Sequence, residues 1–408
     1  MNRPLHSKHR YGLTSQILIA GLAVLAAAPT YATDGYFDYG YGVKAKGIGG
    51  AGVAFPQDGL APATNPAGEA FIDDQFDFGL TYFRPDRFSN FYGTRYGGNG
   101  KTDFFIPEIG AKYSLTQDLA LGLAVYGNGG MNTEYSAPLF NTPLPGTPSN
   151  SGIDLEQLFI APTLAYKFAE GQSFGISPIF AYQRFSASGL QEFGVPNAGY
   201  DNSYGAGVRI GYTGVLTDWL TVGATYQSRI YASRFDHYSG LFAGQGDFDI
   251  PSNFAIGFAV RPVKQVTFAF DVERILYDQV NSVGDPLNGN PLGSKNGPGF
   301  GWKDVTAIKT GVAYEVNDAL TLRVGYNYST QPISNDQTYF NILAPGVVQQ
   351  HVTAGASWKF RENWELNAFY AHAFYHRVNG SGPLTSPSSS TDLAMKQDTF
   401  GLSVDWKF

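Results

Sequence analysis

Three glycines near the N-terminus, Gly47, Gly49 and Gly52, match the G-x-G-x-x-G pattern of dinucleotide-binding proteins. In those proteins the pattern follows a β-strand and opens a helix, whose N-terminus holds a pyrophosphate. No strand-like segment precedes these glycines, and no strand–helix–strand unit follows them. The pattern therefore does not predict a nucleotide site.

Other chemistry is equally sparse. The chain has no cysteine, which excludes disulfides, thiolate metal sites and a cysteine nucleophile. His372 and His376 would share a strand face about 13 Å apart, which is too far for one zinc ion. No Ser/His/acid grouping suggests a hydrolase. The sequence predicts a protein that is not an enzyme and has no cofactor and no metal site.

Basic residues on alternate positions of apolar segments are better candidates, because a carboxylate ligand that loses its water needs a charged partner. Such residues could equally pair with Asp271, Glu273 or Glu315, which have the same inward phase. The candidates for contact with a ligand are Arg209, Arg229, Lys309 and Arg323.

The elements that carry these residues have the pattern of two-faced β-strands. In segment 319–329, every second residue from Leu320 to Tyr328 is apolar, while Arg323 and Asn327 belong to the opposite face. Segment 265–273 alternates in the same way. The composition agrees, since 15% of residues are aromatic, 15% are charged and the mean hydropathy is −0.16. One face of each strand is suited to lipid and the other to water.

Turn residues divide the chain into hairpins. Six short polar connectors alternate with seven long stretches rich in Gly, Pro, Asn and Ser, which predicts fourteen antiparallel strands. The short connectors are 116–118, 169–171, 217–218, 262–264, 317–318 and 361–362. The long stretches are 88–101, 136–155, 187–202, 236–249, 281–303, 332–349 and 377–395.

Strict alternation of short turns and long loops is typical of bacterial outer-membrane barrels. The last ten residues alternate perfectly and end on the aromatic Phe408, a terminal signal for the barrel-assembly machinery. Closure is required, because an open sheet edge in lipid leaves backbone groups unpaired. The predicted fold class is all-β, a 14-stranded antiparallel transmembrane β-barrel in the outer membrane of a Gram-negative bacterium.

The N-terminal 74 residues divide into two predicted segments. A basic start with Arg3, Lys8 and Arg10 precedes the apolar run 17–28, which predicts a signal peptide over 1–32. Residues 33–74 contain apolar residues and a turn-forming Asn65–Pro66 pair, and we expect them to form a hatch that plugs the lumen of the 75–408 barrel. A disordered periplasmic tail is the alternative.

Three stretches of the chain carry a resemblance to a known family. They are Trp302–Asp304 with Ile308–Tyr314 and Leu320–Tyr326, then Leu123–Tyr135 with Tyr126–Gly130 inside it, and Asn65–Ala67 after Gly47–Gly52. Together they resemble the FadL family of outer-membrane transporters for long-chain fatty acids and other hydrophobic compounds, including its aromatic-hydrocarbon branch.

The resemblance implies a hatch and a lateral opening where the third strand bends inward. It places Gly47, Gly49, Gly52, Asn65, Pro66 and Ala67 in the hatch and Gly127, Asn128, Gly129 and Gly130 at the bend. It also adds Lys303 and Asp304, at the outer end of the tenth strand, to the candidate ligand contacts. Fraying of an ordinary hairpin is the alternative for the glycine cluster, because glycine also weakens strand pairing.

We therefore expect passive uptake of hydrophobic compounds, long-chain fatty acids foremost, by lateral diffusion through the barrel wall. The alternatives are a diffusion porin for small polar solutes, an uptake channel for aromatic hydrocarbons and a barrel enzyme that acts on lipids. Expected partners are hydrophobic small molecules, outer-membrane lipid and lipopolysaccharide, with the protein a monomer. The net charge of −7 argues against a nucleic-acid partner.

Overall fold

The computed structural model describes residues 34–140, 149–287, 289–383 and 386–408. The predicted signal peptide lies outside the described residues. Within the described ranges, fourteen long antiparallel strands form the barrel wall. They are β1 Gln75–Phe91, β2 Phe104–Ser114, β3 Leu119–Tyr135, β4 Ser151–Ala169, β5 Gln172–Ser188, β6 Asp201–Thr217, β7 Leu220–Gln227, β8 Asn253–Val263, β9 Val266–Ile275, β10 Val305–Asn317, β11 Leu320–Ser329, β12 Gln350–Arg361, β13 Trp364–Val378 and β14 Thr391–Lys407.

Each strand pairs with the next in sequence, and β14 pairs with β1 to close the sheet. The closing ladder runs without a register shift from Gln75–Lys407 to Phe91–Thr391. Closure gives the first and last strands partners on both sides, as hydrocarbon requires. The predicted closed barrel of fourteen strands is confirmed. Two further short strands, Thr94–Gly97 and Tyr231–Ala232, pair with β1 and β6 beyond the wall.

The two faces are those that the sequence predicts. On β14, the apolar side chains from Phe400 to Trp406 are exposed outward, whereas Ser403 and Asp405 are buried inward. On β11, Leu322 and Val324 are exposed and the intervening residue is buried. Apolar groups thus cover the outside of the wall, where lipid would lie.

The predicted alternation of short turns and long loops is confirmed, but the predicted loop limits are inexact. The loop predicted at 236–249 is too narrow, because β7 ends at Gln227 and β8 begins at Asn253, whereas others are too wide. β1 continues to Phe91 and β5 to Ser188, so the loops after them begin later than 88 and 187. The cause is that ladder hydrogen bonds join backbone groups, and they tolerate the polar side chains by which the loops were recognised.

Short helices occupy the hatch and the long loops. The hatch contains an α-helix at Val43–Lys46 and 3-10 helices at Ala61–Ala63 and Pro66–Phe71. The loops contain Gln191–Phe193, Asp236–Tyr238, Ala243–Gly246, Tyr277–Gln279, Asn281–Gly284, Asn335–Gln337, Phe340–Ile342 and Pro387–Ser390. In the described ranges, no helix is long and apolar enough to cross a bilayer.

The segment from Asp34 to Asp74 lies inside the barrel and is bonded to its wall. Gly52 and Val53 donate backbone hydrogen bonds to the Asp271 carboxylate of β9, at 2.7 and 2.9 Å. On the opposite wall, Lys46 forms an ion pair of 2.8 Å with Glu108 of β2. The predicted hatch inside the lumen is therefore observed.

Candidate ligand cavity and lateral opening

The wall is interrupted between β2 and β3. These strands pair only from Ser114–Ala120 to Ile109–Val125, next to the short turn. Beyond that point β3 continues for ten residues with β4 as its partner. The stretch Phe104–Glu108 of β2 consequently has no ladder partner on this side.

Pairing resumes at the far end of this interruption. The backbone N–H of Gly100 donates to the Glu134 carbonyl at 2.9 Å, and that of Glu134 donates to the Gly98 carbonyl at 3.3 Å. The gap is thus a window with closed ends, bounded by residues 101–108 on one side and 126–133 on the other. A frayed hairpin would not pair again at its tip, so this geometry differs from the fraying alternative.

A bulge at Asn128 bends β3 at the window. The register with β4 shifts between Gly127 and Gly129, which leaves Asn128 without a ladder partner. Its buried side chain donates to Gln157 Oε1 at 2.9 Å and accepts from the Tyr41 hydroxyl at 2.9 Å. The bulge is therefore held by the neighbouring strand and by the hatch together.

The start of the hatch occupies the edge that β3 leaves free. Asp38 donates its backbone N–H to the Asn128 carbonyl at 3.0 Å, and Gly130 donates to the Tyr36 carbonyl at 3.1 Å. A Cβ atom on Gly129 would lie 1.9 Å from the Tyr36 carbonyl oxygen. Glycine is required at this position because two backbones meet there.

A cavity of about 710 Å³ lies behind the window. Its lining includes all three glycines of the bend and several aromatic and aliphatic side chains. The apolar lining includes Tyr36, Phe37, Phe83, Phe104, Ile106, Leu158 and Trp302. Apolar walls with a few polar groups are typical of sites for small hydrophobic molecules.

Aromatic residues from the hatch and the long loops close the cavity on its outer side. Trp302 is fully buried and donates its indole N–H to Asn341 Oδ1 at 2.6 Å. The Tyr36 ring packs at 5.2 Å from that of Tyr277 and 5.8 Å from that of Trp302, measured between centroids. Burial raises the pKa of Tyr36 well above its ordinary value, so this phenol is neutral at physiological pH.

Charged side chains at the cavity are mostly paired. Lys101 Nζ lies 2.7 Å from Asp154 Oδ2, and Arg184 Nε lies 2.8 Å from Glu156 Oε2. Arg87 differs, since its guanidinium donates to the side-chain and backbone oxygens of Asn132 and to a backbone carbonyl. Arg87 lies on β1, and its hydrogen bonds to Asn132 span the window towards β3.

Most basic residues selected from the sequence point inward but contact the hatch. Arg209 donates to the Pro62 carbonyl, and Lys309 pairs with Asp34 at 3.2 Å. Arg323 donates its Nε–H to a hatch glutamine at 2.8 Å. The hatch therefore lies over three of the six candidates.

The other three candidates lie near the long loops. Arg229 pairs with Asp249 at 2.8 Å, Lys303 is exposed, and Asp304 accepts from Arg274 at 3.0 Å. The lining of the cavity includes none of the six. Ligand contact by these residues stays a prediction.

The hatch residues selected from the sequence make close contacts with the wall. Gly49 has a φ of +72°, and a Cβ there would lie 2.7 Å from the backbone of Tyr326. Asn65 accepts from the Ala67 N–H at 3.1 Å and donates to Thr213 Oγ1 at 3.0 Å. The Asn-Pro turn thus caps a 3-10 helix and fastens it to β6.

Sequence reasoning missed the residues of β1 and β2 at the cavity, including Phe83, Arg87 and Phe104. Their inward or outward phase can be read from the strand pattern. Their position beside an interrupted ladder cannot, because the interruption depends on β3 and the hatch. The presence of Arg87 as a second arginine after Arg84 is the one feature of the sequence that could have indicated a site here, and it is a weak indication.

Comparison with known proteins agrees with this geometry. The family model described as "Outer membrane protein transport protein (OMPP1/FadL/TodX)" matches residues 40–408. The toluene transporter TodX of P. putida is 19% identical, with a TM-score of 0.68 over 91% of this chain and 99% of that one. A Pseudomonas aeruginosa FadL homologue is 17% identical, with a TM-score of 0.69 over 92% of this chain and 100% of that one.

The Ralstonia pickettii toluene transporter TbuX is 18% identical, with a TM-score of 0.66 over 91% of this chain and 99% of that one. No curated protein sequence matches the chain. At these identities the solved structures support the fold, and the family model supports the membership. The chain belongs to the OMPP1/FadL/TodX family of outer-membrane transport proteins.

Proposed function

We propose that this protein takes up hydrophobic compounds passively, long-chain fatty acids foremost, across the outer membrane of a Gram-negative bacterium. A ligand enters from the long-loop side, binds in the apolar cavity and leaves sideways through the window between β2 and β3. The observation that carries the proposal is the interruption of the ladder beside an apolar cavity. An apolar molecule that moves from this cavity into lipid avoids contact with water, which would cost free energy.

Aromatic hydrocarbons are the second candidate substrates. The aromatic lining around Tyr36 and Trp302 would suit a flat ring, and the structurally similar TodX and TbuX are toluene transporters. Uptake of radiolabelled oleate and toluene by cells with and without the protein separates the two. If only toluene uptake depends on the presence of the protein, long-chain fatty acids are excluded as its substrates.

The porin alternative is less favoured by the geometry. A diffusion porin needs an open aqueous lumen, whereas here the hatch occupies it and contacts β2, β9 and β12. The same proposal includes three further expectations. The protein is surrounded by outer-membrane lipid and lipopolysaccharide, it is inserted by the barrel-assembly machinery, and it is a monomer.

A reversible cross-link tests lateral exit. A Cβ on Gly127 would lie 2.8 Å from Ile106 Cγ2, so side chains at these positions meet across the window. Because of this proximity, cysteines at both positions, Ile106→Cys and Gly127→Cys, should form a disulfide, and the chain has no other cysteine that could compete. We expect oxidation to reduce oleate uptake at least severalfold, and reductant to restore it.

The matched control is Val312→Cys with Val324→Cys, which face each other on the continuous β10–β11 ladder. A disulfide there joins strands that are already paired and should leave uptake unchanged. Substituting Gly129 or Gly130 is less informative, because their Cβ atoms would lie 1.9 and 2.4 Å from backbone oxygens. Equal uptake by the oxidised and reduced window variant would exclude lateral exit at this site.

The location of the long loops tests the membrane orientation. Protease added to intact cells should cut within 281–303 and spare the short turn at Asn317–Asp318. Cleavage at that turn in intact cells would reverse the proposed orientation.

A further inference from the structure

We propose that Arg87 binds the head group of the ligand, so that the cavity has a higher affinity for amphiphiles with a carboxylate than for neutral molecules of equal length. This inference rests on the proposed function. It assigns a specificity-determining residue on β1 that neither strand phase nor motif had identified.

The first observation is the burial of Arg87 without a matching acid. Only 2% of the residue is exposed, and it lines the cavity. In the described part of the chain, no carboxylate oxygen lies within 4 Å of its guanidinium nitrogens. A buried guanidinium that lacks an anion has lost hydration without gaining the charge pairing that compensates for it.

The second observation is an unused donor. The two terminal nitrogens of Arg87 donate to Asn132 and to the Lys101 carbonyl, which are neutral acceptors. Its Nε has no hydrogen-bond partner among the described residues. The edge formed by Nε–H and a terminal N–H is one with which a guanidinium binds a carboxylate in two parallel hydrogen bonds.

The third observation concerns the neighbouring charges. Lys101 and Arg184, the other lysine and arginine of the lining, are satisfied by Asp154 and Glu156. Two further acids line the cavity. Asp38 pairs with Lys46 at 3.0 Å, whereas the exposed Asp103 accepts hydrogen bonds from the hydroxyls of Tyr82 and Thr102 and forms no ion pair with a described residue. Once these pairs are formed, Arg87 is the positive group left without an anion at this cavity.

The position of Arg87 also orients the ligand. Its bonds to Asn132 place it at the outer end of the window, whereas Ile106 and Gly127 lie further towards the short turns. A carboxylate at Arg87 would direct its alkyl chain past the aromatic rings towards the window. The tail would then meet the gap before the charged head does.

The test compares two ligands of equal chain length, dodecanoate and dodecanol, by displacement of one fluorescent apolar probe from the purified full-length barrel. Each is measured on the parent, Arg87→Gln, Arg87→Lys and Arg261→Gln, so that partition into detergent cancels. Arg261 is exposed near a short turn and controls for the loss of one positive charge. Heat-modifiable gel migration confirms folding of each variant.

We expect Arg87→Gln to lower the affinity for dodecanoate by about tenfold or more and the affinity for dodecanol by less than about twofold. Arg87→Lys should recover part of the preference, and Arg261→Gln should match the parent. Equal weakening of both ligands by Arg87→Gln would show a structural role only and overturn the proposal.

A measurement on the parent protein does not depend on variant folding. Dodecanoate should displace the probe more strongly than dodecyltrimethylammonium, which has the opposite charge. Equal displacement by the two would overturn the proposal that Arg87 recognises a negative head group, and it would leave the proposed uptake of hydrophobic compounds intact. If neither dodecanoate nor dodecanol binds the parent, the proposed function itself fails.

Discussion

Two seams of the barrel use glycine in opposite ways. Along the β10–β11 seam the strands pair from Ala307–Ser329 to the turn, and Gly311 faces Gly325 across the ladder. Cβ atoms on these two glycines would lie 2.5 and 2.1 Å from backbone atoms of Ile48 in the hatch. Here glycine keeps the ladder and lets the hatch touch the wall.

Along the β2–β3 seam, glycine accompanies the loss of the ladder. Gly127 and Gly129 flank the bulge, and the hatch pairs with the freed edge of β3. The glycines of the two seams differ in the contact that the absence of a side chain permits. At the first seam the hatch approaches the face of an intact sheet, whereas at the second it acts as a partial substitute for a strand.

Removing the middle of the hatch should have the largest effect. Deletion of Gly47 to Gly59 eliminates the contacts with Asp271 and β11, including the close approach to Gly325. We expect the single-channel conductance in planar bilayers to rise many-fold above that of the parent, because the lumen then fills with water. Equal conductance would mean that these residues do not block the lumen, and a high parent conductance would favour the porin alternative.

The ion pair at the window should come next. Lys46 is fully buried and pairs with Asp38 and Glu108, the latter at the end of the unpaired stretch of β2. Lys46→Met leaves the buried Glu108 and the partly buried Asp38 without a cation, and we expect the unfolding free energy to fall by about 3–5 kcal/mol.

Denaturant unfolding of the barrel in lipid measures this change. The double variant Lys46→Met/Glu108→Gln should recover part of the loss, since one of the unpaired charges is then absent. A double variant no more stable than the single one would contradict the assigned electrostatic cause.

The close approach at the continuous seam should have a moderate effect. Gly325→Ala places a Cβ 2.1 Å from the Ile48 backbone, and we expect overpacking to cost about 1–3 kcal/mol of unfolding free energy. Gly79→Ala on β1 is the matched control, because its nearest neighbour would be at an ordinary 3.5 Å. If the two variants lose equal stability, the contact between hatch and wall is softer than these distances indicate.

The smallest effect is expected at the rim of the barrel. The hydrogen bond from Lys407 to Asp73, at 2.7 Å, lowers the pKa of that carboxyl below its ordinary value. A carboxyl whose pKa is lower in the folded than in the unfolded chain stabilises the fold at pH values above its unfolded pKa, which is near 4. This contribution is lost as the pH falls through the pKa of the folded protein. Because Asp73 is mostly exposed, Lys407→Ala should cost less than about 1 kcal/mol at pH 7 and nothing once the carboxyl is protonated.

Denaturant titrations of Lys407→Ala and the parent at several pH values check this expectation. A difference that grows towards low pH would reverse the sign and exclude this pair as its cause.

Strand number, strand faces and the order of turns and loops could be determined from the sequence alone. They depend on local rules, since side chains alternate along a strand and turn residues end it. β11 shows this, because its apolar residues from Leu320 to Tyr328 have the outward phase that the pattern predicts. The inward phase of Arg209, Lys309 and Arg323 follows from the same rule.

The neighbours of these inward residues were decided by the tertiary structure. Arg209 and Lys309 contact the hatch, whose path through the lumen is set by contacts with strands far away in the sequence. Gly49 and Thr353, for example, are separated by 304 residues. The window likewise requires the bulge at Asn128, the end of pairing on β2 and the hatch edge at the same place. Strand periodicity reports the face of a residue but not which distant backbone lies opposite, so Arg87 becomes distinctive only once the barrel has closed around the hatch.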